Sequence, residues 1–71
     1  MRTFFVCTLV GDAYAHREFE SQKEAEDNAR EGDWIISAEA GNIVDARFDT
    51  PGHAIRAVRR VLKWRGLAEG K

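Results

Sequence analysis

Phe5-Val6-Cys7-Thr8 falls on Trp34-Ile35-Ile36-Ser37 when residues 5–30 are laid without a gap over residues 34–59. The match continues outward. Phe19-Glu20-Ser21 meets Phe48-Asp49-Thr50, and Ala25, Ala29 and Arg30 meet Ala54, Val58 and Arg59. Strict identities are few, but turn, cap and apolar positions move in step, as in a structural repeat. Each copy reads as strand, turn, strand, helix. The expected fold class is α+β in the order ββαββα. A four-stranded antiparallel sheet would carry two helices on one face, as an internal ββα duplication.

The element signals are local. Residues 3–10 are β-rich, Gly11-Asp12 is a turn signal, and residues 13–19 complete a hairpin. Ser21-Gln22-Lys23-Glu24 is a capping box, in which the serine oxygen can accept from the backbone of Glu24. The first helix should run to about Glu31 and stop at Gly32. Residues 34–38 form the third strand, Gly41-Asn42 the turn, and residues 43–48 the fourth strand. Thr50-Pro51 opens the second helix, with threonine at the N-cap and proline at the first helical position. That helix should end near Arg65, before Gly66. Residues 1–66 are then one domain, and residues 67–71 a frayed tail. Trp34, Phe48, Val58, Val61 and Leu62 are the expected core anchors.

With 71 residues, 44% hydrophobic and 32% charged, the chain has the composition of one soluble globular domain. No apolar run approaches the roughly 18 residues that span a bilayer. The apolar start, Met1 to Val10, leads into patterned sequence and reads as a strand, not a leader. Cys7 is the single cysteine, so no internal disulfide forms. These features fit a cytoplasmic protein with no membrane partner. A domain this small has little stability to spare, and oligomerisation is one usual remedy.

The net charge of −1 hides an uneven distribution. Residues 1–35 carry four basic and eight acidic side chains, residues 36–71 seven basic and four acidic. At about 100° per residue, Ala54, Ile55, Ala57, Val58, Val61, Leu62 and Trp64 cover one half of the second helix. Arg56, Arg59, Arg60 and Lys63 fill the other half. Their spacing makes like-charge neighbours, each pair costing about 0.2–0.5 kcal/mol in an isolated helix. Solvent, the first-helix acids Glu24, Asp27 and Glu31, a phosphate backbone or an acidic protein could relieve that repulsion.

A second surface follows from strand alternation. If Phe5, Cys7, Leu9, Trp34, Ile36, Phe19, Val44, Ala46 and Phe48 face the helices, the other face holds Phe4, Val6, Val10, Tyr14, Ile35 and Ile43. A bare apolar sheet face of this kind marks an interface. The expected interface residues are Phe4, Val6, Tyr14, His16, Ile35, Ile43 and Arg47.

Catalytic chemistry finds little support. Cys7 sits mid-strand with no positive neighbour to activate its thiol. His16 and His53 have no sequence relation to it and no metal-ligand spacing. Asp45, Asp49 and Glu39 match no calcium loop, and no glycine-rich loop precedes a helix. The sequence points to a non-catalytic interaction protein without cofactor or metal. It would be a regulator or inhibitor of bacterial, phage or mobile-element type, binding itself or a protein partner through the outer sheet face. The alternative is a nucleic-acid-binding module that uses the basic helix face.

Overall fold

The computed structural model describes the backbone of residues 2–69 and the side chains of residues 2–65. Its elements are β1 (Arg2–Val10), β2 (Ala13–Phe19), α1 (Gln22–Asn28), β3 (Trp34–Glu39), β4 (Asn42–Ala46) and α2 (Gly52–Glu69). The four strands form one sheet in the order β2-β1-β3-β4, and each neighbouring pair is antiparallel. The ββαββα order and the α+β class are as the sequence indicates.

The helices, however, lie on opposite faces of the sheet. Successive residues of a strand point to opposite sides. Phe5 and Cys7 pack with Ile36, Ala38 and with Ala54, Val58 and Leu62 of α2. Phe4 and Val6 pack with Ala25 of α1, flanked by Phe19, Ala29 and Ile35. The expectation of two helices on one face is thus corrected, and the chain path gives the reason. β2 and β3 both run antiparallel to the β1 between them. The link between them must cross over β1, and α1 makes that crossing on the Phe4/Val6 side. α2 follows the edge strand β4 and returns over the face left bare.

Registers explain the other displaced residues. Val10 pairs with Ala13 across the two-residue turn Gly11-Asp12, which sets Phe19 beside Phe4 and Tyr14 beside Leu9. Phe19 therefore lies on the α1 face and Tyr14 on the α2 face, the reverse of the expected assignment. The second hairpin turns at Ala40-Gly41, with φ of 53° and 83°, so Asn42 already belongs to β4. Both central residues are left-handed, the pattern of the tight turns that match strand twist. The β3–β4 ladder then shifts register: Ala38 pairs with Ile43 and Ser37 with Asp45, leaving Val44 unpaired. This bulge lets Ile43 and Ala46, three positions apart, both pack on the α2 face. β4 ends at Ala46, so Phe48 falls in the following loop, fully exposed, and is no core anchor. Trp34 is half-buried, with its ring edge-on to Tyr14 at 5.9 Å.

The helix ends differ in quality. Ser21 Oγ accepts from the Glu24 N–H at 3.1 Å, as its sequence motif requires. α1 nevertheless stops at Asn28, ahead of the expected Glu31; Ala29 turns extended, and Gly32 serves the next turn instead. Arg17 of β2 donates to the Asn28 carbonyl at 3.0 Å, supplying a cation where the last turn of α1 has none. At α2, Ile55 N–H donates to the Pro51 carbonyl at 3.2 Å, so Pro51 holds the N-cap position expected of Thr50. Thr50 Oγ1 is buried without a hydrogen-bond partner among the described residues. α2 passes through Gly66 to Glu69, beyond the end expected near Arg65. Residues 70–71 of the expected tail lie outside the described residues.

Candidate functional site

α1 removes the bare apolar face. Phe4 is 9% exposed and Val6 fully buried, both beneath Ala25. Ile35 is half-buried at the edge of the same cluster. Tyr14 and Ile43 pack against the other cluster, under α2. His16 is exposed on that same face, its ring 5.9 Å from the ring of Phe5. Arg47 is exposed and pairs with Asp49 at 3.4 Å. The seven expected interface residues are therefore split between two covered faces and a loop, and form no single surface.

The basic residues of α2 are brought together. Arg56, Arg59, Arg60 and Lys63 are all exposed, because Ala54, Val58 and Leu62 bind the opposite side of the helix to the sheet. α2 stands as a ridge between two shallow clefts. One, of about 280 Å³, is walled by the first hairpin at Asp12 and Tyr14 and by His53, Arg56 and Arg60. The other, of about 380 Å³, lies between Arg59, Lys63 and the second hairpin at Gly41 to Ile43. The arginines thus reach both flanks.

None of these four cations has an ion-pair or hydrogen-bond partner among the described residues. Arg65, one turn on, differs: it pairs with Glu18 of β2. The acids that could have relieved the stripe, Glu24 and Asp27 of α1 and Glu31 beyond it, follow the helix on the opposite sheet face. Intramolecular neutralisation by α1 is thereby excluded. What remains is a local concentration of positive charge on a near-neutral protein, which attracts anions at short range.

Trp64 completes the ridge. It stands at the margin of the expected apolar arc, whose centre is near Val58, and it is 71% exposed. It lies one turn beyond Arg60 and beside Lys63, which places an aromatic face at the end of the cationic stripe. The helical angle holds the signal, since position 64 is only about 40° from position 60.

The register does bring Cys7 and His16 opposite each other across β1 and β2. They share no hydrogen bond among the described residues. Burial, and then the negative Asp33, push the Cys7 thiol up to about 11. A thiol held protonated this firmly is the reverse of an activated nucleophile. Among the described residues no group of three or more His, Cys, Asp or Glu side chains could hold a metal ion. No helix among them is long and apolar enough to cross a membrane. No protein-family model, curated protein or solved structure matches this chain.

Proposed function

We propose that this protein is a non-catalytic binding module whose partner is nucleic acid, held by its phosphates on the exposed face of α2. One observation carries the reading: four cations crowd about two turns of helix, and the only nearby acidic helix lies behind the sheet. Like charges at this spacing raise the energy of the free protein. A phosphate backbone reverses the sign of that term and releases its own counterions. An acidic protein surface offers the charge without the regular spacing. The regulator or inhibitor role drawn from the sequence fits such a module, since occupying nucleic acid needs no chemistry.

Fluorescence anisotropy with labelled mixed-sequence oligonucleotides tests this. Four phosphate contacts predict affinity falling about 50-fold for a single strand, or about 150-fold for a duplex, between about 50 and 200 mM salt. Changing Arg56, Arg59, Arg60 and Lys63 together to Gln should abolish binding with the circular-dichroism spectrum intact. Salt-independent binding, or full binding by the quadruple variant, would refute the assignment.

A further inference from the structure

Resting on that reading, we infer that the bound nucleic acid is single-stranded, and that Trp64 stacks on one of its bases. Three observations converge. First, Trp64 is 71% exposed, although tryptophan is among the most buried residues on average. Second, it continues the stripe of Arg56 and Arg60, so a backbone following the arginines brings a base to the indole. Stacking on an aromatic side chain requires a free base face, and in a duplex both faces of an internal base are already covered by its neighbours. Third, the ridge is flanked. Asp12 stands on the wall of the cleft opposite Arg56 and Arg60, without an ion pair among the described residues. A duplex straddling the helix would press a second phosphate row toward that carboxylate. A single strand running along the ridge from His53 to Trp64, about 17 Å of helix, brings only one phosphate row past it. The stripe then fixes the strand through its phosphates, and Trp64 selects for unpaired bases without reading their identity.

The experiment compares a short mixed-sequence single strand with the same sequence as a duplex, on the full chain, by anisotropy and tryptophan emission. Trp34 is half-buried against Tyr14, so Trp64 dominates any quenching by added bases. The single strand should bind about 10-fold more tightly and quench emission. Trp64→Ala should lose about 10-fold for the single strand and nothing for the duplex, while Trp64→Phe keeps most of the affinity. Equal binding of both forms, or single-strand binding unchanged in Trp64→Ala, overturns this inference and leaves the phosphate reading standing. Failure of the wild type to bind either form overturns both.

Discussion

The two ββα halves enter the sheet alike and leave it differently. In both, the first strand presents its large residues to the α2 face: Phe5 and Cys7 from one copy, Trp34 and Ile36 from the other. In both, the matched alanine of the helix, Ala25 or Ala54, is fully buried. Yet α1 has 7 residues and lies on one face, while α2 has 18 and lies on the other. The first strands keep the repeat because alternation and pairing act locally. The helices lose it because only the first must cross over a strand to reach its successor. One consequence is that acidic and basic helices of a near-neutral chain are separated by a sheet, which keeps the acids of α1 away from the cations of α2.

The sharpest way to break this comparison is to place a charge beneath α1. Val6→Glu buries an unpaired carboxylate on the side that a one-faced sheet would leave open. The expected cost, about 4 kcal/mol, rivals the whole stability of a domain this size. Thermal melting followed by circular dichroism should show an unfolded chain. A folded Val6→Glu protein would mean that α1 does not cover that face.

Under α2 the expected effect is smaller. Val58→Ala gives the second helix the residue that its counterpart Ala29 already has in the first. Losing two buried methyl groups should cost about 2 kcal/mol in urea denaturation. A cost below about 0.5 kcal/mol would show that the α2 core is as thin as the α1 core. The caps sharpen the contrast further. Ser21→Ala should cost about 1 kcal/mol, because it removes a hydrogen bond made at 3.1 Å. Thr50→Val, its aligned counterpart, should be neutral or stabilise by up to about 1 kcal/mol, since the hydroxyl it removes is buried unpaired. Similar losses at both positions would restore the symmetry of the caps. The smallest effect is expected at Phe48→Ala, within about 0.5 kcal/mol because the ring is fully exposed. Its repeat partner Phe19 packs beside the α1 cluster, and Phe19→Ala should cost clearly more.

Much of this is legible in the sequence. Element order, the Gly11-Asp12 turn, the Ser21 cap and the facing of β1 and β3 all follow from local patterns. The position of α1 had a signal too. Phe4-Phe5-Val6-Cys7 is apolar on both sides of its strand, as strands covered on both faces are. The expected arrangement, one covered face and one open one, leaves that signal unused. The β2 register was also available, since a two-residue turn at residues 11–12 forces Phe19 opposite Phe4. The Val44 bulge had no sequence mark, and its single extra residue moved Ile43 across the sheet. For the candidate site, the four cations were plain from helical spacing. Their lack of a neutralising neighbour was not, because it depends on which face α1 takes.

The Val44 bulge also makes the borders of the sheet unequal. β4 is short and interrupted, whereas β2 offers seven residues in unbroken register. Irregular borders resist docking of a further strand, and regular ones invite it. Growth by strand addition therefore has one preferred entry point instead of two. Two copies joined there would expose only interrupted borders, and stacking would end at a pair instead of running on into a fibre.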